Sequence, residues 1–177
     1  MAAENHIEML GLNEGGVVVI DEHDEQLDFL LTVAAATPRK RFIKPLHQLW
    51  EHENRMLNAV LPESYIRPHK HTGLHSVDTV QALRGVFEVV IFNDEGEIAK
   101  SIPVAGRKIV SIFPDTWHTV VATSPCVIYQ TTGHEEGGYD PKTHKVFPDW
   151  APEEGTREAG SYLDVLKARV DAFFIGS

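Results

Sequence analysis

The sequence predicts a mainly β fold, a closed or double-sheet antiparallel jelly roll with a helix at each end, and three observations carry that expectation. About eight short runs rich in Val, Ile, Phe, Tyr and Thr follow one another between residues 54 and 132. Turn-forming residues separate them at regular spacing, which is the pattern of an antiparallel sandwich or roll. On both sides of this stretch the apolar residues return to helical periodicity.

The elements follow in order. From Asp21 to Ala36 the chain reads DEHDEQLDFLLTVAAA, with acids in the first turns and an apolar stripe at Leu27, Leu30, Leu31 and Ala34, so an N-terminal helix is expected, packed outside the main domain. The basic run Pro38 to Arg41 ends it, because proline disfavours helical geometry in the residue before it. The expected strands are RMLNAVL, SYIRPHKH, DTVQALRG, VFEVVIF, EIAKSIPV, RKIVSIF, WHTVVAT and CVIYQTT. Between them lie Pro62-Glu63, Thr72-Gly73, Gly85, Asn93 to Gly96, Ala105-Gly106, Pro114-Asp115 and Ser124-Pro125, residues that supply turn geometry. After Gly133 the segment GHEEGGYDPKTHKVFPDWAPEEG is rich in Gly, Pro and charge and reads as a long wrapping loop. Ser161 and Asp164 resemble a capping box, and Leu163, Leu166, Val170 and Phe173 continue a helical stripe. The expected division is a helical extension over residues 1–37, a β domain with its loop over 38–155, and a C-terminal helix over 156–177.

Composition narrows the function classes. With 177 residues, 42% of them hydrophobic, the chain can bury one sizeable core. Sixteen Lys plus Arg against 26 Asp plus Glu leave a formal charge of −10, which repels phosphate backbones and anionic membranes. Neither nucleic acid nor membrane is an expected partner; a small-molecule substrate is. A single cysteine, Cys126, a start without a basic-then-apolar pattern and the lack of a long apolar run together point to a cytoplasmic setting. Cys126 sits inside an expected strand and reads as a buried small hydrophobe.

Chemistry concentrates in the histidines, of which there are ten. Residues two apart in a strand share a face, so Tyr65, Arg67, His69 and His71 of SYIRPHKH point the same way and two imidazoles converge. Asp78 opens the next strand, and His118 follows in PDTWHTVV. Three imidazoles and a carboxylate form a donor set for a divalent transition metal such as Zn, Fe, Mn or Ni. Taken singly, His-x-His is as readily a solvated face and His118 a structural histidine; the ordered combination outweighs both readings. His75 competes with Asp78 for the fourth position.

Other residues carry two readings each. Arg67 shares the face of the histidines, so inside a barrel it needs either an internal acid or an anionic substrate as its partner. Arg84 has the parity of Asp78 and would also face inward. His134 and Glu135 are candidates for a lid acid/base pair, against the plainer reading of a charged hairpin end. Arg39, Lys40 and Arg41 either close over an anion or form a solvated connector. Trp117 and Trp150 either floor a sugar site or anchor the core and loop.

The run PHKHTGLHSVDTVQALRG, with six residues between Asp78 and Gly85, and the later FPDTWH resemble the two motifs of the cupin superfamily. The first family motif reads His-x-His, a short spacer, Glu, six residues, Gly; here the spacer is longer and Asp78 stands in the Glu position. The second reads Pro-x-Gly-x-x-His, and FPDTWH lacks its glycine and one residue. The resemblance implies a cupin jelly-roll barrel with one metal on His69, His71 and His118 and a fourth ligand at Asp78. TPRKRFIKPLH, NRMLNAVLPESYIRPHKH, DTWHTVV, YDPKTHKVF and DWAPEEG are more closely similar to the WbuC family of cupin-fold metalloproteins, over about Thr37 to Gly155. That likeness implies a metal-dependent protein of surface-polysaccharide biosynthesis, a possible homodimer, acting on a small anionic carbohydrate-related metabolite as an isomerase or epimerase. The alternatives are a non-catalytic sugar-binding or sensing module and a metal-dependent dioxygenase.

Overall fold

The structure is a computed structural model that describes residues 18–21, 23–48, 51–134 and 145–175, the side chains from residue 171 onward excepted. Helix α1, Glu25–Ala36, is capped by Asp24, whose side chain accepts from the Gln26 N–H at 2.8 Å. Ten strands follow: β1 Arg41–Pro45, β2 Glu53–Val60, β3 Lys70–His71, β4 Asp78–Arg84, β5 Phe87–Phe92, β6 Ile98–Val104, β7 Ile109–Ile112, β8 His118–Ala122, β9 Cys126–Gly133 and β10 Lys145–Val146. Helix α2, Arg157–Ile175, closes the described chain.

One sheet has the order β1-β2-β9-β4-β7. The second has the order β6-β5-β8, and an isolated bridge between His69 and His118 joins it to the pair β3-β10. All pairings are antiparallel. Leaving out β1 and β10, the eight remaining strands alternate between the sheets in the order of a jelly roll, first, eighth, third and sixth in one and second, seventh, fourth and fifth in the other. The expected fold class therefore stands, on strand order alone.

Packing explains why several strands read as almost unbroken apolar runs. The barrel interior holds Val60, Val80, Ala82, Phe87, Val89, Val104, Ile112, Ala122, Cys126 and Ile128, drawn from both sheets. Alternate residues of the same strands point outward and are covered as well. Leu57, Ala59 and Val127 meet Leu27, Leu30 and Ala34 of α1, while Val90, Phe92 and Val121 meet Leu166 and Val170 of α2. Strands buried on both faces lose the polar alternation of a half-exposed sheet.

Four local expectations need correction. SYIRPHKH enters a ladder only at Lys70 and His71, with His69 in the isolated bridge; Pro68 has no N–H to donate to an earlier rung. Arg41 starts edge strand β1, paired with β2 from Arg41↔Val60 to Pro45↔Met56, where a connector was expected. A register shift between Ala82 and Arg84 breaks the parity that Arg84 would share with Asp78, so Arg84 instead pairs with Asp28 of α1. The cap of the C-terminal helix is not Ser161: the Thr156 hydroxyl accepts from the Ala159 N–H at 3.3 Å and takes that place. The Phe173 side chain, which completes the expected stripe, and Glu135 lie outside the described residues.

Candidate metal centre

The site lies between the two sheets, with its histidines on one and its carboxylate on the other. His69 and His118 exchange both backbone hydrogen bonds, at 2.9 and 2.8 Å, so they stand directly opposite each other with side chains on one face. Their ring centroids are 4.5 Å apart. His71, two residues beyond His69, keeps the same face and lies 5.1 Å from the His69 ring. From the facing sheet Asp78 shares the inward parity of Val80 and Ala82. One ligand atom from each of His69, His71, Asp78 and His118 falls within 4.8 Å of the others, and all four residues are buried.

Two backbone contacts fix which imidazole nitrogen is available. His69 Nδ1 lies 2.9 Å from the Arg67 carbonyl, and His118 Nδ1 lies 2.8 Å from the Thr116 carbonyl. A carbonyl only accepts, so each Nδ1 carries the proton and each Nε2 offers its lone pair to the cluster. Among the described residues the buried Nε2 of His118 has no hydrogen-bond partner, and leaving such an atom unmatched is costly unless something fills the centre. Asp78 Oδ2 lies 3.2 Å from His71 Nε2 and 3.6 Å from His118 Nε2. A tetrahedral ion with bonds of about 2.0–2.1 Å sets neighbouring donors about 3.3 Å apart. The donor set and its spacing fit a divalent transition metal.

A polar relay behind the carboxylate orients it. Gln130 Nε2 donates to Asp78 Oδ2 at 3.0 Å, the Gln130 side-chain oxygen accepts from Asn58 Nδ2 at 2.7 Å, and the Thr132 hydroxyl donates to Asp78 Oδ1. Burial pushes the Asp78 carboxyl up, yet the adjoining His118 and His71 imidazoles outweigh it and hold the group well below the usual carboxylate range. For His69, burial comes first, followed by Lys145, His118 and His71, and together they keep the ring neutral, well below the usual histidine range. An anionic Asp78 beside a neutral His69 suits metal ligation, which needs a deprotonated carboxylate and a free imidazole lone pair.

Sequence reasoning missed Asn58, Gln130, Thr132 and Lys145. The first three were legible in principle: Gln130 and Thr132 share the parity of core Ile128, and Asn58 that of Val60, so each is a polar residue on an inward face. Lys145 carried no such signal, because it lies on a two-residue strand inside a segment read as loop. Burial lowers its ammonium from the usual lysine range, opposed by the Asp78 and Glu154 carboxylates.

The remaining candidates are placed as follows. His75 is exposed and outside the cluster, and it is Asp78 that stands with the three histidines. His134 is buried, not at a solvated hairpin end: its N–H donates to the His52 carbonyl at 3.0 Å and its ring lies 6.5 Å from that of His52. Arg67 turns to the loop, where its Nη1 faces the carboxylate of Glu153, an exposed rather than internal acid, at 3.9 Å. Its Nε and Nη2 donate to the Ala151 and Pro148 carbonyls at 3.1 and 3.2 Å, and its guanidinium lies over Phe147 at 5.0 Å. Arg39 and Arg41 both bind Glu154, at 2.6 and 2.7 Å, so the basic run clamps the returning loop and is neither an anion lid nor a solvated connector. Trp117 and Trp150 pack against each other at 6.2 Å beneath α2, outside the barrel, which removes them as the floor of a sugar site. Cys126 is buried, as expected.

Among the described residues no helix is long and apolar enough to cross a membrane. The model of one protein family, described as a domain of unknown function (DUF6016), matches residues 22–104. No curated protein matches the chain. Among solved structures, a cupin 2 domain-containing protein from Halorhodospira halophila is similar at 18% identity and a TM-score of 0.49, over 72% of this chain and 79% of that one. A cupin superfamily protein from Desulfitobacterium hafniense DCB-2 is similar at 10% identity and a TM-score of 0.48, over 60% and 88%. The oxalate decarboxylase of Bacillus subtilis, described with Mn(II) centres, is similar at 13% identity and a TM-score of 0.44, over 56% of this chain and 24% of that one.

Proposed function

We propose that the protein is a metal-dependent cupin in which His69, His71, His118 and Asp78 hold one divalent transition ion, Zn, Fe, Mn or Ni, at the polar end of the jelly roll. The observation that supports this most directly is the pair of Nδ1–carbonyl contacts at His69 and His118, which aim two Nε2 lone pairs at the space shared with His71 and Asp78. When bound, such an ion supplies Lewis-acid polarisation of a substrate oxygen. The chain's own residues bind and orient: Gln130 and Thr132 hold the Asp78 carboxylate, and the apolar interior beneath the site keeps bulk water out. The substrate we assign is a small anionic, carbohydrate-related metabolite, and the reaction an isomerisation or epimerisation; the resemblance to the WbuC family supports that choice.

Elemental analysis of protein purified without an affinity tag, followed by titration with Zn, Fe, Mn and Ni, tests the metal assignment. The expected result is about one ion per chain, with a sharp loss of affinity in each of His69→Ala, His71→Ala and His118→Ala. Failure to load any of the four ions, or undiminished affinity in any of the three variants, overturns it.

A further inference from the structure

We infer that Lys145 positions an anionic ligand at this cluster, its ammonium taking the carboxylate of a small 2-hydroxy- or 2-oxo-carboxylate whose neighbouring oxygen faces the four donors. The inference rests on the metal assignment above and adds the chemistry of the ligand. Its basis is strand register. β10 pairs antiparallel with β3, with Lys145 opposite His71 and Val146 opposite Lys70. Residues directly opposite in an antiparallel pair project from the same face. His71 points into the cluster, so Lys145 does too. The alternate pair points away: Lys70 places its ammonium 4.7 Å from the Trp117 ring centroid, and Val146 is 38% exposed. Phe147, just past β10 and 43% exposed, lies 6.2 Å from the His69 ring at the rim of the same space.

The inward-facing cation is available where Arg67 is not. Arg67 spends Nε and Nη2 on loop carbonyls, and its remaining Nη1 faces Glu153 at 3.9 Å. Among the described residues no hydrogen bond or ion pair engages the Lys145 ammonium, although Asp78 and Glu154 both act on it electrostatically. A divalent ion and Lys145 set against the single Asp78 carboxylate leave the cavity with excess positive charge, which an anionic ligand neutralises. A compact ammonium suits a single carboxylate oxygen as a point charge. A neutral polyol would leave the ammonium unpaired, and this disfavours it as a ligand.

The test uses Co(II)-loaded protein, with glycolate as the probe and the visible Co(II) spectrum as the readout; neutral ethylene glycol is the control. Lys145→Met should load Co(II) to the same level as wild type and bind glycolate about 10- to 100-fold more weakly, the worth of one charge-assisted hydrogen bond. Lys145→Arg, which keeps the charge, should lose less than Lys145→Met, and ethylene glycol should leave the spectrum unchanged. Lys145→Gln provides a second neutral variant, with the same expected loss, should the Met variant fold poorly. Glycolate binding in the neutral variants within threefold of wild type, at equal Co(II) content, overturns the inference while leaving the metal assignment intact, as does a wild type that binds Co(II) but no glycolate. A wild type that loads neither Co(II) nor any of Zn, Fe, Mn and Ni removes the metal assignment and the inference with it.

Discussion

Replacing Gln130 by Leu separates the support of the carboxylate from its presence. The substitution keeps a branched side chain, one methylene shorter, and removes the amide that links Asn58 to Asp78, at 2.7 Å on one side and 3.0 Å on the other. Losing a hydrogen bond to a charged acceptor costs about 1.5–3 kcal/mol, and the half-matched Asn58 amide adds about 1–3 kcal/mol because it stays buried. Leu returns part of this through apolar burial, leaving an expected net loss of about 2–4 kcal/mol in the metal-free protein. Urea denaturation should read it as a lower midpoint at unchanged slope. Metal affinity should fall about 10- to 100-fold, the usual cost of losing a group that orients a ligand, while saturating metal still loads the site. If stability falls and metal affinity does not, the relay is only a packing feature and the account of Asp78 orientation is wrong.

Two further substitutions or probes address the fold. Gly85 has φ +72, and a Cβ there would lie 2.2 Å from the Pro125 carbonyl oxygen, whereas Gly106, φ +56, has nothing within 4 Å. Gly85→Ala should therefore cost about 2–5 kcal/mol from left-handed backbone and clash together, and Gly106→Ala about 1–2 kcal/mol from backbone alone; equal losses in urea denaturation would remove the close approach as a cause. Burial pushes the Cys126 thiol up to about 12, so at pH 8 about one molecule in ten thousand carries the reactive thiolate. Iodoacetamide should label Cys126 only in denaturant, and rapid labelling of the native protein, read by mass spectrometry, would contradict its placement in the core.

Much of the fold was legible because turn chemistry and β-rich runs are local properties. VFEVVIF and CVIYQTT became β5 and β9 within a residue of their expected limits. What failed depended on distant partners. Arg41 reads as the end of a connector because the strand it opens is set by pairing with β2, which no local signal shows. Arg84 turned outward because one register shift undid a parity argument that holds only in an uninterrupted ladder. Trp117 was readable as outward, because it neighbours His118 and strand alternation sends adjacent residues to opposite faces.

The same dependence on distant partners explains why three histidines could be assigned from sequence while the choice between Asp78 and His75 could not. His69, His71 and His118 lie on neighbouring strands of one sheet, and alternation relates the first two directly. Asp78 reaches them from the facing sheet, so its role depends on how the two sheets are brought together across the interior. Its pairing with Ile112 on one side and Thr132 on the other fixes the height of its carboxylate in the barrel. Thr132 and Gln130 then satisfy the carboxylate from the β9 side, leaving Oδ2 turned toward His71 and His118. His75, three residues earlier, falls in the loop before this ladder begins, where nothing pairs it to the depth of the histidines. Gly133 follows Thr132 directly, and a Cβ there would meet the His75 carbonyl oxygen at 2.2 Å. The backbone of the His75 loop is thus pressed against the end of β9, while its imidazole remains exposed on the outside.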